Sequence, residues 1–192
     1  MRLFSRLYDR VLVWSKHPHA PVYLGALSFA ESSFFPIPPD VMLAPMTLAT
    51  PRRGWRFAAL TTITSVAGGL AGYLIGYFAI DALIPVLERL GYYDEYLEVR
   101  RWFETYGFWT VLLAGFSPIP YKLFTIAAGA LGMNLPLFMG ASVVGRGGRF
   151  FLVSGLIVWG GEPMERQIRR HIDTLGWLFV LALVIAYLLL RD

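Results

Sequence analysis

Glu31 is the only charged residue between Pro21 and Pro39, and it lies five residues ahead of the first proline of Phe35-Pro36-Ile37-Pro38-Pro39-Asp40. A carboxylate among apolar residues is costly to keep, and inside a membrane it marks a pathway or a proton relay. The blander reading is a glutamate capping or snorkelling at an interface. Asp40 follows Pro38-Pro39 and belongs in the first turn of an outgoing half-helix. A carboxylate there satisfies free backbone N–H groups and complements the helix dipole, so capping accounts for it as well as a direct role does. Lys122 holds the matching place in a second phrase, Ser117-Pro118-Ile119-Pro120-Tyr121-Lys122. A cation at a positive helix start has no local reward; an anion bound beside it explains it, as does snorkelling. Arg146 and Arg149, in Gly145-Arg146-Gly147-Gly148-Arg149-Phe150, are three apart and share a helix face. They face either Glu31 and Asp40 or a substrate phosphate, unless they sit at a helix end among lipid headgroups.

The elements that must carry these side chains are membrane-length. The chain is 56% hydrophobic, its mean hydropathy is +0.55, and its charges fall in clusters. Residues 57–80 and 174–190 contain no charge at all, and about 20 apolar residues suffice to cross a bilayer. Proline lacks a backbone N–H and clashes with the preceding turn, so Pro36, Pro38 and Pro39 break the apolar segment over 21–50, and Pro118 and Pro120 break the one over 106–133. Paired broken helices are the sequence sign of a transporter's binding region. Gly68, Gly69, Gly72 and Gly76 in the 57–80 span allow another helix to approach closely. Residues 81–104 read as a linker with one or two surface helices. Asn134-Leu135-Pro136 opens a further helix to about residue 159, and 162–173 is a charged connector. A single uncharged span over 123–145 is the rival parsing. It leaves 150–161 too short to cross.

The expected fold is therefore an all-α integral membrane protein in one domain. It consists of a basic amphipathic segment (1–19), a first repeat (20–80), an extracytoplasmic linker (81–104), a second repeat (105–160) and a final transmembrane helix (174–190). The amphipathic segment suits an anionic leaflet or packing on its own protein. Each repeat is a re-entrant broken hairpin plus one true crossing. An odd number of crossings per unit inverts the second copy relative to the first. Arg2, Arg6, Arg10, Lys16, Arg52, Arg53, Arg56, Arg166, Arg169 and Arg170 then share one side, while the linker is predominantly acidic. Positive residues favour the cytoplasm, which places the N-terminus there.

Composition also excludes functions. Without cysteine there is no disulfide, thiolate nucleophile or Cys-based metal site. His17 and His19 lack a third ligand, so neither metal nor any other cofactor is implied. The net charge of +4 belongs to membrane flanks rather than to nucleic-acid binding. Ser28-Phe29-Ala30 resembles a signal cleavage site, but the charged leader and the Pro-rich continuation argue for a retained N-terminus. No His-Glu-x-x-His, Gly-x-Gly-Asp or nucleophile–base set is present, so an enzyme is not expected. The tryptophans, mostly near segment ends, read as an interfacial belt.

Glu31-x4-Pro36-Ile37-Pro38-Pro39-Asp40, then Phe116-Ser117-Pro118-Ile119-Pro120-Tyr121-Lys122, then Gly145-Arg146-x2-Arg149 resemble the DedA family of SNARE-associated Golgi or VTT-domain proteins, and especially its YqaA-like bacterial branch. The resemblance covers about residues 20–160. It implies two hairpins facing each other across a bacterial inner membrane and movement of a phosphate-headed lipid between leaflets, either a phospholipid or a polyprenyl phosphate, with proton coupling possible. Glu31 and Asp40 match the family's acidic pair, whereas Gly115 and Tyr121 stand where better-studied branches carry arginine. Lys122, Arg146 and Arg149 are then the available cations. A proton-coupled small-ion exchanger and a non-transport assembly factor, alone or as a homo-oligomer, are the competing readings of the same residues.

Overall fold

The computed structural model of the chain describes residues 17–35, 37–117 and 120–160. The expectations for the N-terminal basic segment up to residue 16, the 162–173 connector, the 174–190 helix, Pro36 and Pro118 lie outside those residues. Among the described residues the chain is all-helical, with no strand. Helix α1 (Ala20–Ser33) starts with Pro21 in its first turn, where the missing N–H costs little. It ends with the Phe34 and Phe35 amides both donating to the Ala30 carbonyl at 2.8 Å. Helix α2 (Asp40–Ala49) begins once the prolines are past. The Pro39 carbonyl accepts from Met42 at 2.9 Å and from Leu43 at 2.8 Å, so the prolines supply acceptors without being asked for donors.

After a 3₁₀ turn at Pro51–Arg53, helix α3 (Gly54–Leu90) runs for 37 residues. At 1.5 Å per residue that is roughly 55 Å, well beyond the hydrocarbon thickness. Gly91, at φ 76°, closes α3 in the left-handed conformation that a side chain resists. Helix α4 (Tyr93–Phe116) follows, then α5 (Tyr121–Ala130) and α6 (Leu135–Gly160). The break between α5 and α6 turns on Gly132 at φ 70° and rules out one span over 123–145. Asn134 begins α6 as expected, its side-chain oxygen accepting from the Leu137 amide at 3.2 Å.

The segment expected as an 81–104 linker differs. Its first part continues α3 and its second part opens α4, so the two helices run far past the expected 57–80 and 106 boundaries. The physical reason is that Leu83, Leu87 and Leu90 keep helical spacing among the charges. Pro85 lies inside α3 without ending it, and the helix closes only at Gly91.

Among the described residues, two helical stretches, Pro51–Leu90 and Leu135–Gly160, are long and apolar enough to cross a membrane. Helix α3 is the common support: α1 and α5 both pack on it. A Cβ at Gly68 would collide with the Phe29 carbonyl of α1, one at Gly76 with the Ile126 carbonyl of α5, and one at Gly129 with the Tyr73 carbonyl of α3. These are backbone-to-backbone approaches that only glycine permits. One apolar cluster gathers Tyr73, Phe103, Val111, Tyr121 and Phe138; a second gathers Leu24, Leu43, Met46, Phe57 and Phe150. Arg146 lies where the two meet, against Tyr121 of the first and Phe150 of the second.

Candidate functional site

Glu31 leaves the last turn of α1, and Arg146 comes from the middle of α6. Their carboxylate and guanidinium pair directly, Nη2 of Arg146 donating to Oε2 of Glu31. Only 9% of Glu31 and 2% of Arg146 is exposed. Two ions out of water are tolerated only when their remaining hydrogen-bonding capacity is met, and here serines meet much of it. Ser32 donates to Glu31 Oε2 at 3.0 Å, and the Ser32 and Ser65 hydroxyls are 2.8 Å apart. Arg146 Nε donates to Ser65 Oγ at 2.6 Å. The Arg146 guanidinium also lies between two rings, 4.9 Å from the centroid of Tyr121 and 4.7 Å from that of Phe150. Aromatic faces attract a cation and exclude water from it.

One turn along α6, Arg149 Nη2 donates to Asp40 Oδ2 at 2.7 Å, and Nη1 donates to the Ser117 carbonyl at 2.5 Å. Arg149 thus ties the start of α2 to the end of α4, one from each broken segment. This pair is more open than the first, its side chains being 19% and 24% exposed. The sequence left three readings of Arg146 and Arg149, facing the acids, facing a phosphate or lying among headgroups; both are paired with the acids. Asp40 sits in the first turn of α2 as expected, yet one carboxylate oxygen meets Arg149 and the other has no hydrogen-bond partner among the described residues. Its preference for the N-terminus is answered by Arg149 instead.

The motif order and this ionic cluster agree with a family-level match: a VTT domain covers residues 37–158. The chain belongs to the VTT-domain, or DedA, family. It is 43% identical to an uncharacterized protein of Haemophilus influenzae over the whole length of both chains. It is 33% identical to an uncharacterized membrane protein of Mycobacterium leprae, over 66% of this chain and 57% of that one. A protein of Histophilus somni, also uncharacterized, is 39% identical over 191 residues and spans 100% of both chains. No solved structure matches it.

Within this VTT-domain membrane protein, Lys122 is the sequence-predicted residue that does not join the acids. Its ammonium donates to the Phe34 carbonyl at 3.3 Å, at the negative C-terminal end of α1. The reward missing locally is thus supplied by the other broken segment. Pro38 and Pro39 precede α2, and Pro120, at φ −58° and ψ 100°, precedes α5. Gly115 abuts the α6 backbone: a Cβ there would stand 3.3 Å from the Arg146 amide nitrogen. The closeness of α4 and α6 at this point is a physical reason for glycine where other branches carry arginine.

Sequence reasoning missed the hydroxyls. Besides Ser32 and Ser65, Tyr121 donates to Ser142 Oγ at 2.5 Å, and Thr125 donates to the Lys122 carbonyl at 2.9 Å. A signal existed: Thr61, Ser65, Gly68, Gly72 and Gly76 recur at helical spacing, so the small face of α3 carries hydroxyls as well as glycines.

Proposed function

We propose that the protein moves a phosphate-headed lipid, a phospholipid or a polyprenyl phosphate, between the leaflets of a bacterial inner membrane without acting as an enzyme. In this reading α1–α2 and α4–α5 are re-entrant hairpins entering from opposite faces, α3 and α6 are the true crossings, and the two halves form an inverted repeat. The N-terminus is cytoplasmic. The observation that carries the reading is the pair of Arg–carboxylate contacts between α6 and the break of the first segment, one sealed (Glu31–Arg146) and one partly open (Asp40–Arg149), the second of which also holds the Ser117 carbonyl at the break of the other segment.

A guanidinium binds phosphate with the same forked geometry it offers a carboxylate. A headgroup reaching the open pair therefore competes with Asp40 for Arg149. Asp40, released, is then free to take a proton, and Glu31 offsets the charge of Arg146 throughout. Acyl or prenyl tails stay in the surrounding lipid. Buried acids matched by buried bases also suit an assembly factor, in which the pairs serve only to specify packing.

Reconstitution into liposomes with leaflet-sensitive lipid probes tests the choice. Wild type should exchange phosphate-headed probes faster than empty liposomes, and Glu31→Gln should lose that exchange at normal protein incorporation. If equal incorporation gives equal, background exchange for both, the transport reading is wrong. A proton signal driven by simple cations and indifferent to lipid would instead support a small-ion exchanger.

A further inference from the structure

The seam between α2 and α6 carries polar atoms that the ionic cluster leaves unanswered. Thr47 Oγ1, Ser154 Oγ and Asp40 Oδ1 are buried and have no hydrogen-bond partner among the described residues. Thr47 and Ser154 are 0% exposed. In a helix a hydroxyl has an easy solution, donation to the carbonyl four residues back. Thr61 and Thr62 take it at 2.7 and 2.8 Å, and Ser142 does so at 2.7 Å. Thr47 and Ser154 do not.

The three oxygens belong to two helices that pack together. Asp40 and Thr47 are seven apart on α2, hence on one face two turns apart. Leu43 and Met46 of that helix share a cluster with Phe150 and Val153 of α6, so the two helices meet along this length. A Cβ at Gly54 would stand 2.7 Å from Thr47 and 2.7 Å from Val158, which is one turn beyond Ser154. Thr47, through its methyl, and the turn of α6 that follows Ser154 therefore meet at one corner, beside the Pro51–Arg53 turn, whose residues are exposed.

We propose that the α2–α6 seam binds water: a short file, held by Thr47 and Ser154, that runs from the Pro51–Arg53 side to the free oxygen of Asp40. Buried water is held by two to four polar partners and is costly to displace, and buried unsatisfied oxygens offer such partners. The file gives Asp40 an aqueous route on one side only. The inference deepens the proposed function and rests on it solely in setting the seam within a membrane; its test does not require any lipid to move.

The chain contains no cysteine, so a single introduced thiol is the only one present. In native membranes, Thr47→Cys and Ser154→Cys are treated with a small charged thiosulfonate, whose sulfur a hydrated thiolate attacks with release of sulfinate, and compared with Leu24→Cys on α1 and Ala58→Cys on α3, both fully buried in the apolar cluster. The first two should react at least about tenfold faster, with the reagent added on the side bearing Arg52 and Arg53. Equal rates, or access from the opposite side alone, overturn the proposal. Should cysteine at 47 prevent folding, Ser154→Cys decides alone: the same excess supports the file, and its absence ends it. Background lipid exchange by the wild-type protein together with the expected labelling would sink the transport reading and leave this one standing.

Discussion

Asp40 and Arg149 are 109 positions apart in sequence, and their charged ends meet at 2.7 Å. The contact links α2 to α6, while the second arm of the same guanidinium holds the end of α4 through the Ser117 carbonyl. One side chain therefore fixes the relative position of both proline-broken segments. Exchanging the charges, Asp40→Arg with Arg149→Asp, should recover part of the thermal stability that either single change removes. Coupling in a double-mutant cycle should fall in the range of about 0.5–3 kcal/mol. Additive losses would show that the two groups do not interact in solution.

The sealed pair behaves differently. Arg146→Ala leaves Glu31 buried without its ion partner, a loss of roughly 3–5 kcal/mol. Replacing both at once, Glu31→Gln with Arg146→Met, leaves no buried charge and should return much of the melting temperature in detergent. Lipid exchange should stay absent in that double variant. Exchange restored along with stability would make the pair a packing device and nothing more.

The helix contacts give a sharper stability test. Gly68→Ala and Gly129→Ala each set a methyl against a backbone carbonyl that cannot step aside, and overpacking of that kind costs about 1–3 kcal/mol. Gly140→Ala, which meets nothing within 4 Å, should be neutral or stabilising by up to about 1 kcal/mol. Thermal unfolding of the three variants side by side checks the order.

Lys122 discriminates between an anion site and a simple tie to α1. With its ammonium on the Phe34 carbonyl, Lys122→Arg keeps a donor and a charge, Lys122→Gln keeps a donor alone, and Lys122→Glu keeps neither. If a phosphate headgroup passes here, exchange should fall in the order Arg, Gln, Glu at equal abundance. Equal exchange from Gln and Arg would reduce Lys122 to a tether.

Much of this was legible in sequence because prolines and isolated charges act locally. The breaks near Pro38 and Pro120, the start of α6 at Asn134 and the acidic first turn of α2 each depend on a few neighbouring residues. The pairing of Glu31 with Arg146 rather than Arg149 was not legible, since it depends on how α1 and α2 lean on α6. Nor was the true length of α3 and α4: surface charges and leucines at helical spacing suit a loop-side helix and a continued crossing alike. Ser65 escaped notice because a serine in a membrane helix has a cheap default partner in its own backbone, and only the tertiary structure shows that it faces Arg146.

The glycine contacts along α3 bear on how such a molecule changes shape. Where bare main chain rests on bare main chain, no pliable side chain cushions a tilt, and separating the helices forfeits the whole contact. Sliding is resisted too, because each carbonyl rests on one glycine and a step along α3 would bring it against a side chain. Both arms are therefore keyed to the same rod, and a tilt of α3 carries the two together.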